Sequence, residues 1–477
     1  MKKTIEYGLY LLVFLLPIQA RWIIKAGEIN GGYWEYGTYS LYAADVLLAV
    51  ILILFVIYNF FSASGGKKNF KFIGCLLLFS AMAILPAENK LLAAYKSFWI
   101  MLGAGLFWVI AKAEYSRAKF FLSLFSGLAL QAVLGIWQFL NQFSPANKWL
   151  GMASHQAVDL GASVVETIGS DGVGERWLRA YGGLDHPNML GGIMAIGILM
   201  LFLNWIPACA GMTKEKAGMT KEKAGMTKEK AGMTKEKAGM TKEKAGMTKE
   251  KGAQDKKSPA LKATTLLKGF VIIFSAALFF SFSRAAWLAL AVGITAMLFG
   301  SFFKKDLAAQ KNILQAALIS GAVFFILFLQ YQNLAVVRLG TGERLEAKSI
   351  SEREESIKNS LPIIKNNFII GAGLGNYGLA LKNFKPYEES FYYQPAHNVF
   401  FLALSEVGIF GFIFFMALLF FAFIGAESFA VFTALIAIML FDHWLWSLHF
   451  GVLFFWMVLG VIKKEKNKKL NPPYPLC

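Results

Sequence analysis

Three short stretches of this sequence hold most of the side chains that could do chemistry. The first runs from Trp177 to Asn188, W-L-R-A-Y-G-G-L-D-H-P-N, directly before an apolar run that begins M-L-G-G. It gathers Arg179, Asp185, His186 and Asn188. Asn is a preferred helix N-cap, so Asp185 to Asn188 also reads as a turn plus cap. Arg179 beside a Trp is either a snorkelling anchor or an anion ligand. The second stretch is Ser281 to Trp287, S-F-S-R-A-A-W, with Arg284 between two apolar runs and almost no loop. An Arg so near hydrocarbon snorkels or faces a polar partner. Phosphate is such a partner, because guanidinium binds it bidentately and stays charged.

The third stretch, 332–397, carries Arg338, Arg344 and Arg353, then S-L-P-I-I-K-N-N-F-I-I-G-A-G-L-G-N-Y-G, and ends in Q-P-A-H-N before an apolar run. Gly371, Gly373 and Gly375 form G-x-G-x-G, which is not a dinucleotide fingerprint and has no βαβ context. A tight turn explains it, and an anion-binding backbone loop is the other reading. His397 titrates near neutrality and is the best single general-base candidate. A lone His at a membrane edge is also often structural. Glu406 lies nine residues further on, inside the apolar run, where a carboxylate is a functional candidate by default.

The elements that must position these groups are membrane helices. Of the 477 residues 56% are hydrophobic and 16% charged, against about a quarter charged in soluble domains. The charge falls in short intervals between long apolar runs. The net charge of +18 would suggest nucleic acid in a soluble protein. Here it is topogenic, because Lys and Arg flank the apolar spans. Cys75, Cys209 and Cys477 form no metal spacing or disulfide framework, and the C-terminal P-Y-P-L-C is not a prenylation box. Met-Lys-Lys followed by Ile5 to Gln19 resembles a signal peptide. With no small-residue cleavage site, it reads as the first membrane helix.

A span needs about 20 mostly apolar residues. Twelve windows qualify: 5–22, 41–61, 70–86, 91–111, 119–140, 189–206, 266–282, 285–303, 312–331, 398–424, 428–443 and 447–462. With both ends inside, the inner loops 62–69, 112–118, 207–265 and 304–311 and the tail are rich in Lys and Arg, as the positive-inside rule asks. Only the 425–427 turn lacks a positive residue. The long polar segments 141–188 and 332–397 fall outside. The expected class is therefore an all-α polytopic membrane protein in the bacterial inner membrane, its chemistry on the extracytoplasmic face.

Four regions follow: N-terminal membrane helices over 1–206, a cytoplasmic loop over 207–265, a second membrane domain over 266–462, and a basic tail over 463–477. Residues 210–251 are six copies of A-G-M-T-K-E-K. The seven-residue period suggests a coiled coil, but only Ala and Met are apolar and each Gly costs about 1 kcal/mol in a helix. A disordered cytoplasmic loop fits better. A weak attraction to anionic lipid is the alternative.

Taken together, S-x-S-R at a short turn, R-x(n)-P-x(n)-G-x-G-x-G-N-Y in a long loop, H-N-x(7)-E-x-G-x-x-G, and H-P-N-M-L-G-G resemble the O-antigen ligase / O-antigen polymerase superfamily. The resemblance runs from about Arg179 to Gly411, without the repeat. It implies an integral-membrane glycosyltransferase of the GT-C type that moves a glycan from undecaprenyl diphosphate to an acceptor hydroxyl. That acceptor would be a lipid-A core, a lipid-linked repeat unit or a protein. No cofactor, no metal and no nucleic acid would take part. The positions carried over are His397 as the catalytic residue and Arg179 and Arg284 as diphosphate ligands. The flanks of Arg179 match less closely. His186, Arg353, Asn398 and Glu406 are supporting candidates.

The residue chemistry agrees. Two Arg can stabilise departing diphosphate, and a neutral His can accept the acceptor's proton. Attack opposite the leaving group implies inversion. The outer loops show no D-x-D cluster or His/Cys set that would argue for a metal. A shape-and-division type cell-wall glycosyltransferase is the rival enzyme, and it would need an acidic residue in place of His397. A transporter or flippase of lipid-linked oligosaccharide is the rival from another class. Internal symmetry and midplane charges, which transporters tend to have, are not evident.

Overall fold

The computed structural model describes residues 1–60, 66–168, 174–202, 259–340, 344–424 and 429–466. The A-G-M-T-K-E-K repeat and its expected disorder lie outside the described residues, as do Cys209, Cys477, the 425–427 turn and residues 467–477 of the tail.

In chain order the helices are α1 (Lys2–Leu15), α2 (Ala43–Phe60), α3 (Gly66–Ile84), α4 (Lys90–Lys112), α5 (Arg117–Asn141) and α6 (Pro187–Phe202). After the repeat come α7 (Pro259–Phe280), α8 (Arg284–Phe303), α9 (Leu307–Gln330), α10 (Gln332–Leu339), α11 (Arg344–Asn366) and α12 (Tyr377–Phe384). The last four are α13 (Val399–Ile424), α14 (Phe429–Phe441), α15 (Trp444–Ser447) and α16 (His449–Lys466). By length and composition α4, α5, α8, α9 and α13 can each cross a membrane, and shorter apolar helices make up most of α2, α6, α7, α14 and α16. The protein is thus a mostly helical membrane protein. Many of these helices show lipid-type side chains on their outer faces, such as Phe325, Ile326, Phe420 and Phe421. That fits a bundle whose solvent is hydrocarbon.

Polar caps mark where helices restart. Asn89, Ser116, Ser283 and Asp306 each accept a backbone N–H of the first turn, from Leu92, Lys119, Ala286 and Ala309. Inside the bundle α14 runs along α8, α16 along α4, and α5 packs against α1 and α7. The most buried helix is α6, with every side chain from Met189 to Phe202 inside. Its M-L-G-G start allows the closest approaches. A Cβ at Gly191 would lie 2.6 Å from Ser281 Oγ, and one at Gly192 would lie 2.6 Å from the Trp444 ring. Small residues therefore let α6 meet both the S-F-S-R turn and the segment after α14.

The described parts of the long polar segments hold regular elements. Residues 332–397, expected as a loop, hold α10, α11 and α12. Two antiparallel ribbons follow α1: β1 (Arg21–Lys25) pairs with β4 (Tyr39–Tyr42), and β2 (Glu28–Ile29) with β3 (Gly32–Tyr33). Two more lie between α5 and α6: β5 (Phe143–Ser144) with β6 (His155–Gln156), and β7 (Val164–Ile168) with β8 (Gly174–Leu178). The first expected span, 5–22, is shortened at Leu15, because the chain turns into β1.

Two further expected spans are altered in ways that matter. The 398–424 window is broken at Gly408, whose φ of 61° and ψ of −171° are essentially reserved for glycine. Carbonyls freed there accept from the glycine-rich turn: Ala372 N–H donates to Ser405 O at 2.9 Å and Gly373 N–H to Glu406 O at 2.8 Å. The 428–443 window stops at Phe441. Asp442 and His443 leave the helix, α15 makes one turn, and α16 begins at His449.

Gly408→Ala should be strongly destabilising. Its Cβ would lie 2.5 Å from Gly371 N, and the backbone strain alone is about 1–3 kcal/mol. Thermal unfolding in detergent should show a clearly lowered Tm for Gly408→Ala but not for Gly321→Ala, where a Cβ meets nothing within 4 Å. Equal Tm values would contradict this account of the break.

Candidate active site

The starts of α6, α8 and α13 and the ends of α7 and α14 meet at one end of the bundle. Arg179 follows β8 and is anchored there. Its backbone N–H donates to Ser163 O at 3.1 Å, and the next amide, of Ala180, donates to Phe280 O at 3.0 Å. The Arg179 guanidinium is buried. Its Nε donates to Ser281 O at 2.8 Å and one terminal nitrogen donates to Asn188 Oδ1 at 2.7 Å. Asn188 Nδ2 in turn donates to Asp442 Oδ2 at 2.8 Å, while Asp442 Oδ1 accepts the His443 N–H at 2.8 Å. One hydrogen-bond chain therefore runs from the first sequence stretch to the break after α14.

A second cluster adjoins it. Glu346 is almost fully buried between two arginines: Arg338 contacts one oxygen at 2.5 Å and Arg284 the other at 3.1 Å. Arg338 Nε also donates to Phe282 O at 2.7 Å. Phe282 has φ of 45°, a conformation L residues rarely adopt, and the Arg338 bond helps hold the S-F-S-R turn in it. Arg284 keeps unused capacity, since its Nε has no hydrogen-bond partner among the described residues. Arg353 lies within electrostatic range of Glu346, Arg338 and Asp442, with no hydrogen bond or ion pair from its guanidinium among the described residues.

Four arginines thus face two buried carboxylates. Burial, and then the neighbouring Arg338, disfavour the positive charge on Arg179. Burial is also the first cause acting against Arg353. A guanidinium does not deprotonate in a protein, so the arrangement expresses this strain as demand for an anion.

Three histidines sit beside the arginines. His186 accepts the Asn188 N–H on Nδ1 at 3.0 Å, so its Nε2–H is the donor to Ser163 Oγ at 2.9 Å. That pattern locks it neutral. Burial first, then Arg179, lowers its pKa. His443 bonds Ser447 Oγ through Nδ1 at 2.6 Å, while the Ser447 hydroxyl donates to His443 O at 3.2 Å. With that proton committed, Nδ1–H of His443 is the donor and Nε2 carries the lone pair. Burial pushes its pKa down to about 4. His397 stands 5.2 Å from His443, ring centre to ring centre. Its backbone N–H donates to Ser356 Oγ at 3.3 Å, and its Nδ1 has no partner among the described residues. Burial lowers its pKa and Asp442 partly opposes that. Burial alone would raise the Asp442 carboxyl, but the three imidazoles and the Asn188 amide outweigh it and hold it below the usual range.

His397, Asp442 and His443 offer three ligand atoms within 4.8 Å of one another. Two imidazoles and a carboxylate are a donor set that suits zinc and other first-row ions. Sequence spacing concealed it, because two of the three sit in what reads as a span. The same set equally suits a carboxylate that stabilises a transient imidazolium.

The structure brings Arg179, His186, Arg353 and His397 together, with Arg284 joined to them through Glu346. The other two expected residues are elsewhere. Asn398 caps α13, accepting the Phe400 and Phe401 amides at 2.9 and 3.2 Å, and its amide donates to Leu440 O at 3.0 Å. Glu406 is buried below and accepts from Trp446 Nε1 at 2.8 Å. Arg344 turns outward to Glu166, at 2.7 Å. The G-x-G-x-G segment is a tight turn with positive φ at all three glycines, and the Gly371 and Gly373 amides are spent on Asn367 O and Glu406 O.

Sequence reasoning missed Asp442, His443 and Glu346. The signal for the first two was D-H-W-L-W-S-L-H directly after an apolar run, two ionisable groups where a helix should still be in lipid.

A search of the curated proteins returns no match. Residues 269–416 match the family model described as O-Antigen ligase. That segment contributes Arg284, Arg338, Glu346, Arg353 and His397 to the cluster, and through it the chain carries an O-antigen ligase domain of the O-antigen ligase / O-antigen polymerase superfamily.

Proposed function

We propose that the chain moves a glycan from undecaprenyl diphosphate to an acceptor hydroxyl, without metal and with inversion. The reaction takes place at the extracytoplasmic face of the bacterial inner membrane, in a bundle of twelve spans with both ends inside. The observation that carries this reading is the junction of an arginine-rich anion site with a histidine–aspartate cluster at one end of the bundle.

The donor diphosphate lies among Arg179, Arg284, Arg338 and Arg353, next to Glu346. The acceptor oxygen attacks the anomeric carbon from the opposite side. As the new C–O bond forms, the bond to the diphosphate breaks, and the carrier diphosphate leaves with the bonding pair. His397 takes the acceptor's proton. Asp442, beside it, stabilises the imidazolium that results, the role a carboxylate plays for a catalytic histidine elsewhere. His186 is locked neutral by its hydrogen bonds and serves to hold Asn188 and Ser163.

Purified protein in proteoliposomes, with donor supplied only on the outward face, tests both the reaction and its side. The expected result is glycan product outside with carrier diphosphate left in the same leaflet. Movement of intact donor across the bilayer with no product would favour the flippase reading instead.

A further inference from the structure

We propose that the cavity of about 370 Å³ over His397 takes the terminal sugar of a saccharide acceptor, recognised by residues 33–36 and 390–394. This rests on the transfer reaction proposed above and adds the substrate class and the residues that read it. The cavity floor is His186, His397, Asp442 and His443, so whatever fills it meets the proton acceptor.

Three properties of its wall suit a sugar. It is aromatic: Tyr33, Tyr36 and Phe391 line it, with Tyr33 54% and Phe391 69% exposed. It has unspent polar groups, since neither the Tyr36 hydroxyl nor the Gln394 amide has a hydrogen-bond partner among the described residues. It is acidic, with Glu35 and Asp185 on the cavity and Glu35 paired to Arg21. A diphosphate is repelled by this wall and drawn to the guanidiniums. A neutral sugar suits it, because a pyranose has C–H faces for the rings and hydroxyls that donate to carboxylates and exchange hydrogen bonds with an amide or phenol.

Much of the wall lies outside residues 269–416. It is latched in place: Asn30 Nδ2 donates to Pro386 O at 2.8 Å and Glu388 O at 2.9 Å, and Trp34 Nε1 to Tyr393 O at 2.9 Å. The N-terminal ribbons thereby build acceptor specificity onto a domain that holds the donor.

The test uses the full chain in detergent and saturation-transfer NMR with methyl glycosides of glucose, galactose and N-acetylglucosamine. At least one should bind, and both Tyr36→Phe and Gln394→Ala should weaken it by up to about tenfold, the usual net share of one hydrogen bond. Tyr36→Phe keeps the ring against His443, and Gln394 is exposed, so neither change threatens folding. Arg284→Ala should leave glycoside binding unchanged. In the transfer assay the two wall variants should raise the KM for a saccharide acceptor and spare kcat and the donor KM. Absence of glycoside binding, wild-type binding in both variants, or displacement of the glycoside by a Ser/Thr peptide would overturn the proposal. Glycoside binding that follows the variants in a protein with no transferase activity would uphold the cleft and reject the reaction.

Discussion

His397→Ala is expected to lower kcat for glycan transfer by about 10²–10⁴-fold, the usual share of a general base. The fold should survive. The tether at this position is the backbone N–H to Ser356 Oγ, which any residue keeps, and the lost Nδ1 has no partner among the described residues. Unchanged Tm together with lost transfer would therefore isolate a chemical role. The pH profile supplies a second reading. A base must be neutral to accept a proton, and burial moves His397 below the ordinary imidazole value of about 6.5. Transfer should accordingly hold through pH 7 and fall only below about 6.5 as the imidazole protonates. A variant within a few-fold of wild type, or an acid limb above neutrality, would remove His397 from the mechanism. The shape-and-division reading makes the opposite forecast, in which His397→Ala is tolerated.

Arg284→Ala is the second large effect. Loss of one preorganised donor to a developing oxyanion costs about 10²–10³-fold in kcat. Arg284 is a better probe than Arg179. Removing Arg179 would also break its bonds to Ser281 and Asn188 and leave buried acceptors unpaired. Without Arg284, Glu346 still has Arg338. Arg284→Lys should recover only part of the rate, since an ammonium lacks the planar fork that grips two phosphate oxygens. Transfer at the wild-type rate in Arg284→Ala, measured with saturating donor, would refute the anion site.

Hydropathy marked twelve of the sixteen helices among the described residues. The windows 91–111, 119–140 and 285–303 agree with α4, α5 and α8 to within two residues at each end, because a lipid-facing helix must be apolar along its whole length. Ends lie further off at Leu15, where apolar residues continue past the helix into packed, non-helical chain, and at Pro259 and Leu307, where the helix starts in a polar turn ahead of the apolar run. The order inside 332–397 was hidden for the opposite reason. α11 is a polar helix with Pro362 inside it, and it carries no span signal.

Arg179, Arg284 and His397 were visible from their own neighbourhoods, as cations and an imidazole at the edges of apolar runs. Glu346 and Asp442 were not, since a carboxylate acquires its meaning from what it touches. Asp442 meets Asn188 across 254 positions of chain, and that contact exists only because α6 begins where α14 ends. Glu346 resembled any other charge on an amphipathic helix until the structure buried it between Arg284 and Arg338.

By itself the sequence marked the long apolar helices and the polar stretches between them, because both follow from local transfer free energy. Only the tertiary structure decided which charges meet. Pairing of buried ions depends on distances of a few ångströms between segments hundreds of residues apart, and local composition holds no record of those distances.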